Sequence, residues 1–406
     1  MRILILTQYF PPEVGAPQNR LYELAVRLQD KGEEVSVLTA MPNYPQMEIH
    51  DEYKGKFYHY EDMSGLQVHR SWIYVSKSKG IFKRLLNYFS FVFSSMYVGL
   101  FKIRKFDFIL CESPPLFLGI TAFVLKRRKK SKLVFNVSDL WPESAEKLGL
   151  VTNQFFLKTA TRLEEFMYRK SELICGQTQG ICRNIQLRFP DKKVFWLPNG
   201  VDLGFYNFDN SSSDWRIQNG FDADDFLLLY AGILGHAQGL EVIIKAADKL
   251  KQNQKIKFLI IGSGPEKEKL RNLSASLKTE NVFFFDSVTK IQMPGIVSVI
   301  DVAVIPLKRL ELFKGAIPSK IFENLAMKKP LLLGVEGEAK DLFIDTGKCG
   351  LAFIPEDAED LAEKALQLFN NRTELKILGL NGYNYVKANF TRDQIAEKFH
   401  EQLKLV

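Results

Sequence analysis

Short apolar runs recur along this chain with helical patterns between them, and that alternation constrains the fold more than any other feature. Ile3 to Leu6, Glu34 to Thr39, Phe108 to Cys111, Lys132 to Val137, Leu173 to Cys175 and Val194 to Leu197 read as strands. Leu21, Leu24, Ala25 and Leu28 between the first two fall on one face of a helix that has Pro17 in its first turn. Strands alternating with helices predict βαβ units and a parallel sheet. After the polar stretch Asn207 to Asp225 the pattern restarts, with strands near Leu227 to Tyr230, Phe258 to Ile261, Val282 to Phe285, Val302 to Ile305 and Leu331 to Leu333. A chain of 406 residues exceeds what one core serves. The expectation is an α/β protein of two tandem Rossmann-like, doubly wound domains, 1–198 and 199–390.

Composition narrows the class of partner. The four cysteines are scattered, without the close pairing of a metal site or redox motif, and read as buried thiols of a reducing compartment. Arg2 to Thr7 is strand-like and too short for a signal-peptide core, so a cytoplasmic protein is expected. The net charge of +8 concentrates in the first third, at Lys77, Lys79, Lys83, Arg84, Lys102, Arg104, Lys105 and Lys126 to Lys130. That half should meet something anionic. No zinc-finger, helix-turn-helix or RNA-binding signature accompanies these charges, so nucleic acid is not expected and an anionic membrane surface is.

Leu85 to Phe101 carries no charge over seventeen residues, fewer than the roughly 20 of a membrane span. Asn87, Ser90 and Ser94 form a narrow polar stripe beside an apolar face of Phe89, Phe93, Met96 and Leu100. The segment is either a core helix or one lying in a membrane interface. The flanking cations, each worth about 1 kcal/mol at an anionic surface, favour the second.

Ligands of open parallel sheets bind outside the carboxyl ends of the strands, so the loops there carry the candidate chemistry. Gly15 stands just before a helix and lets backbone amides approach a phosphate; no G-x-G-x-x-G follows the strand, which argues against a dinucleotide enzyme. In the second half, Tyr230 to Gly239 contains Gly235, His236 and Gln238, and Gly262-Ser-Gly264-Pro265 makes a second glycine turn. Either turn serves a nucleotide or the packing of the chain against itself. Ser319 is placed as the N-cap of a helix whose Lys320 could neutralise a diphosphate and whose Glu323 could accept from ribose hydroxyls or merely favour the helix dipole. Asp222-Ala-Asp224 has the form of a metal-diphosphate motif but precedes its strand, so no metal or other cofactor is expected.

Several segments together carry a family resemblance: Gln8-Tyr-Phe-Pro-Pro-Glu13 with Gly15 and Arg20, Met41-Pro-Asn-Tyr-Pro45, Ser113-Pro-Pro115, Ser138-Asp-Leu-Trp-Pro-Glu-Ser144, Leu197-Pro-Asn-Gly-Val-Asp202, Gly235 to Gly239, Gly262 to Pro265 and Pro318-Ser-Lys-Ile-Phe-Glu323. The chain resembles the family-4 retaining glycosyltransferases of GT-B fold, in particular the subgroup similar to polysaccharide and O-antigen fucosamine (FucNAc) transferases. The resemblance implies an interdomain cleft, an acceptor-binding first domain, a second domain that binds a UDP-sugar, and a last helix, within 391–406, crossing back to the first. It implies Glu323 on the ribose, and Gly15, Arg20, Gly235, Gln238, Gly264, Val288 and Ser319 around the substrates. Lys320, His236 and Asp139 become the candidate catalytic residues, Asp139 standing where many relatives have a histidine nearby; base, acceptor-orienting group and helix cap all remain open for it. The acceptor implied is a polyprenyl-diphosphate-linked saccharide at the inner face of the cytoplasmic membrane.

Two departures from the family pattern stand out. Gly315 replaces a glutamate eight residues before Glu323, and Ile233 and Gln238 stand where an arginine and a lysine are common. Lys320, with His236 and Arg20 behind it, is the candidate for the missing charge. The same fold also houses sugar-nucleotide epimerases and phosphorylases, and a peripheral nucleotide-sugar-binding protein without activity is a third reading.

Overall fold

The structure, a computed structural model, describes residues 1–406 apart from 14, 45, 78–79, 150 and 211–212; the side chains of 16, 81, 84 and 210 also lie outside it. Pro45, Lys79 and the Arg84 side chain, named above, therefore fall outside the described residues. The chain divides into two compact units, 1–198 with 392–406, and 199–391.

The first unit holds an eight-stranded sheet in the order β3-β4-β2-β1-β5-β6-β7-β8. Its strands are β1 (Arg2–Leu6), β2 (Glu34–Ala40), β3 (Tyr58–Met63), β4 (Leu66–Ser71), β5 (Phe108–Ser113), β6 (Lys132–Val137), β7 (Leu173–Gly176) and β8 (Val194–Trp196). Every neighbouring pair is parallel except β3 with β4. Both faces are covered, which is why the central strands are apolar without interruption. Ile3 and Ile5 pack on one side with the helix Ala16–Asp30, while Leu4 and Leu6 pack on the other. The helix Arg392–Lys404 joins the first of these cores through Ile395, Ala396, Phe399 and Leu403, and pairs Arg392 with Glu23 at 2.8 Å and Asp393 with Arg27 at 2.6 Å.

The hairpin β3–β4 was not among the expected strands. Its sequence is too polar to show a clean alternation, and its most buried large residue is Arg70, whose side chain reaches Glu61 and the Pro11 carbonyl. The helix Ile81–Phe101 turns its polar stripe toward the protein. Asn87 and Ser94 are buried: Asn87 Nδ2 donates to Tyr74 O at 2.6 Å, the Tyr74 amide donates to Ser90 Oγ at 2.8 Å, and Ser94 Oγ bonds the Trp72 carbonyl. The Trp72 amide still donates to Phe57 O at 2.9 Å, and the polar stripe supplies further partners to the backbone leaving β4.

The second unit is a six-stranded, wholly parallel sheet in the order β11-β10-β9-β12-β13-β14. Here β9 is Phe226–Ala231, β10 Ile256–Ile261, β11 Val282–Phe285, β12 Val302–Pro306, β13 Leu331–Gly334 and β14 Gly350–Ala352. In both sheets the winding reverses beside the first strand, between β1 and β5 and between β9 and β12. Doubly wound sheets bind ligands at the carboxyl ends flanking that reversal.

Candidate active site

In the second unit the loops after β9 and β10 are pressed together at backbone level. Gly232, Gly262 and Gly264 have φ of 146, 150 and 155°, and a β-carbon on Gly262 or Gly264 would lie 1.9 Å from Gly232 O or 2.4 Å from Leu234 O. The Gly232 amide donates to Ile261 O at 2.9 Å and the Leu234 amide to Ser263 O at 2.8 Å. Packing of one loop on the other therefore accounts for the glycine at 264 without a substrate contact.

Against this double loop lies Lys320. Its Nζ stands 3.8 Å from the centroid of the Tyr230 ring and 2.8 Å from where a β-carbon on Gly232 would be. Tyr230 is itself fixed by donating its hydroxyl to Ile233 O at 2.7 Å. No carboxylate pairs with Lys320 among the described residues. Burial lowers its pKa to about 8, against the opposing pull of Glu323 one turn on. The structure thus holds a partly desolvated cation beside the reversal point of the sheet, where an anion would complete it.

Ser319 precedes the helix Lys320–Ala326, but its backbone is already helical, φ −60° and ψ −30°, and its side chain makes no capping bond. The capping role expected for it is corrected accordingly: a hydroxyl held in helical geometry does not reach the first-turn amides. Glu323 is partly exposed on the same helix. Nothing lies within 4 Å of where a β-carbon on Gly315 would sit, so packing does not exclude a larger residue there.

His236 and Gln238 occupy the loop after β9. His236 is 74% exposed at its side chain and its Nε2 lies 2.7 Å from Lys308 Nζ, while Nδ1 is 3.9 Å from Glu266. The Gln238 Oε1 is buried without a hydrogen-bond partner and would meet a β-carbon on Gly235 at 2.8 Å. Lys308 and the following Arg309, directly after β12, escaped the sequence reading. The rule that searched other strand ends would have found them. Val288 lies half-buried past β11, two strands away from β9.

The first unit treats its cation differently. Arg20 is 3% exposed, paired with Glu112 at the end of β5, and donates to Ser138 Oγ at 2.7 Å; Asn136 Nδ2 donates to the other Glu112 oxygen at 2.5 Å. Glu112 balances the Arg20 charge within the unit. Asp139 follows Ser138, is half-buried, and accepts from Ser144 Oγ at 2.7 Å; burial raises its pKa. Gly15 begins the helix after β1, and a β-carbon there would lie 2.3 Å from Gln18 Oε1. Glu13, another residue the sequence reading did not assign, is buried and accepts from the backbone amides of Phe10, Asn43 and Tyr44, tying the loops after β1 and β2 together.

Asp222 and Asp224 sit before β9, at the amino end of the sheet, within 3.5 and 3.0 Å of Lys255 Nζ. Among the described residues no three His, Cys, Asp or Glu side chains group in a way that could hold a metal ion.

Fold and site define a class, and comparison with known proteins names it. Residues 18–205 match the family model for glycosyltransferase family 4, and residues 211–385 that for glycosyl transferases group 1. The chain belongs to the family-4 glycosyltransferases and has their two-domain GT-B fold. It is 27% identical to the "Putative colanic acid biosynthesis glycosyl transferase WcaI" of Escherichia coli, over 80% of this chain and 81% of that one. Among solved structures, sucrose-phosphate synthase from Thermosynechococcus elongatus superposes with a TM-score of 0.77 at 16% identity, covering 100% of this chain and 98% of the other. Anabaena HepE, solved in complex with UDP-glucose, gives 0.73 at 17% identity, covering 100% of both chains.

Proposed function

We propose that this glycosyltransferase is retaining and metal-independent. It moves a sugar, with N-acetylated amino sugars such as FucNAc among the candidates, from a UDP-sugar to a polyprenyl-diphosphate-linked saccharide in surface polysaccharide biosynthesis, at the inner face of the cytoplasmic membrane. The observation that carries this reading is Lys320, an ammonium in no ion pair among the described residues and held against Gly232 at the reversal point of the second sheet. The naming of WcaI for colanic acid biosynthesis and the UDP-glucose bound by HepE support the substrate classes.

In this reading Lys320 takes the diphosphate and Glu323 the ribose. The acceptor hydroxyl attacks the anomeric carbon on the side from which UDP departs; the carbon–oxygen bond to the phosphate breaks as the new one forms. The departing phosphate oxygen receives the acceptor proton, so the protein contributes mainly position and charge stabilisation. Asp139, its carboxyl held by Ser144, orients the acceptor.

Incubating the protein with a panel of UDP-sugars and a polyprenyl-diphosphate-linked acceptor, and weighing the products by mass spectrometry, tests the reading. A lengthened acceptor is expected, with turnover unchanged by EDTA. An epimerised donor, a free sugar phosphate, or EDTA inhibition reversed by manganese would contradict it.

A further inference from the structure

The helix Ile81–Phe101 turns polar groups toward the protein and aromatic ones away from it. Its outer side shows Phe82, Leu86, Phe93, Tyr97 and Phe101, which are 70, 41, 65, 48 and 70% exposed. The steps between them, alternately four and seven residues and then four again, keep them on one side of the helix. The ridge runs the length of 21 residues, about 30 Å at 1.5 Å per residue. Phe57, 50% exposed, widens it by edge contact with Tyr97 at 5.7 Å. An apolar ridge of this extent on a water-facing surface marks an interaction site.

Charge indicates what covers it. The helix contains no acidic residue. Lys83 is exposed at its start, and Lys102, Arg104 and Lys105 are exposed just past its end. The neighbouring helix Leu118–Lys129 also runs from the carboxyl to the amino edge of the sheet, adding exposed Arg127, Arg128 and Lys130 at that edge. Aromatic side chains bordered by cations match the interfacial layer of an anionic bilayer, where each cation adds about 1 kcal/mol. No described helix is long and apolar enough to cross a membrane.

We propose that this aromatic face inserts into the interfacial layer of an anionic membrane, with the helix lying along the surface. The inserted residues are Phe82, Leu86, Phe93, Tyr97 and Phe101. From this face a seam of packed rings leads inward. Phe89 lies 6.5 Å from Phe93 and 4.9 Å from Phe117, and Phe117 lies 5.5 Å from Trp141, two residues after Asp139. The docked face is therefore continuous with the rim where the reading above places the acceptor, and the surface itself stands without that reading.

The full chain should sediment with phosphatidylglycerol-containing vesicles at low salt and not with pure phosphatidylcholine ones. Replacing three exposed rings together, Phe82→Ser, Phe93→Ser and Phe101→Ser, should lower the bound fraction at least about tenfold. The separate set Lys102→Gln, Arg104→Gln and Lys105→Gln should remove the preference for anionic lipid. UDP binding is measured on each variant and should not change, which separates loss of the surface from loss of the fold. Equal sedimentation of the triple-serine variant and the unmodified chain would overturn the proposal, as would failure of the unmodified chain to bind anionic vesicles. A dimer in sedimentation velocity that the serine substitutions dissolve would assign the face to a second copy instead. Transfer to a lipid-linked acceptor is assayed apart from these, so the functional reading can fail while the surface stands, or the reverse.

Discussion

The two units answer the same local problem with opposite electrostatics. Each places a glycine and, three residues later, a glutamine after its first strand: Gly15 with Gln18, and Gly235 with Gln238. In both, the glutamine amide folds back over the glycine, and its Oε1 is buried without a partner. The cations beside these matching turns diverge. Arg20 is enclosed and neutralised by Glu112, with Ser138 and Asn136 completing the network, whereas Lys320 lies against an aromatic face and, among the described residues, is in no ion pair, Glu323 acting on it from one turn away. A cation balanced from within builds structure; a cation left short of charge is available to a ligand. This contrast is why the function proposed above gives the diphosphate to the second unit.

The comparison can be broken first at Arg20. Arg20→Ala leaves Glu112 buried without its partner and should cost about 3–5 kcal/mol of stability. The thermal midpoint should fall sharply, and Arg20→Ala with Glu112→Ala should recover part of the loss. If the single variant melted like the unmodified chain, the network would not be structural. Lys320→Met, in contrast, should melt no lower than the unmodified chain, because it removes a desolvated charge and leaves no carboxylate stranded.

Glu323→Ala sharpens the contrast from the donor side. A charge-assisted bond to a ribose is worth about 1.5–3 kcal/mol, so UDP should bind roughly 10- to 100-fold more weakly in a protein that melts normally. Calorimetry showing unchanged affinity would remove Glu323 from the ribose. The smallest effect is expected at the paired glycines. Gly15→Ala and Gly235→Ala each collide only with the end of a flexible glutamine, and both glycines have extended backbone, φ 176° and −110°, that any residue adopts. Each should cost about 1 kcal/mol or less, whereas Gly262→Ala, at φ 150° and facing a backbone oxygen at 1.9 Å, should cost more in the same melting experiment.

Which parts were legible in the sequence follows from what each residue touches. The parallel strands were, because strands buried on both faces must be apolar throughout, and Ile3 to Leu6 or Phe258 to Ile261 fit little else. The β3–β4 hairpin was hidden because Arg70 and Glu61 satisfy each other inside it, and no periodicity announces an ion pair. The helix 81–101 was visible as a helix. Asn87, Ser90 and Ser94 read as a polar stripe, but that they serve the Trp72 carbonyl and the Tyr74 amide and carbonyl could not be read. At the candidate site, Lys320 was singled out by residue type and position. What could not be read was its contact with Gly232, or that Arg20 was already committed to Glu112 across 92 residues.

The most direct test of the central claim is UDP affinity as a function of pH. With its pKa at about 8 in the folded protein, Lys320 is charged below that value and loses its proton above it. Folding stability should improve as pH rises from about 8 toward the ordinary lysine value, because the penalty for burying the charge is relieved. Affinity for the diphosphate should run the other way, falling by up to about tenfold per pH unit once the free protein is neutral at this site. Calorimetric titration with UDP on both sides of that pH should show this fall for the unmodified chain, and weak, nearly flat binding for Lys320→Met. Equal affinities for the two proteins below pH 8 would contradict the assignment of Lys320 to the diphosphate.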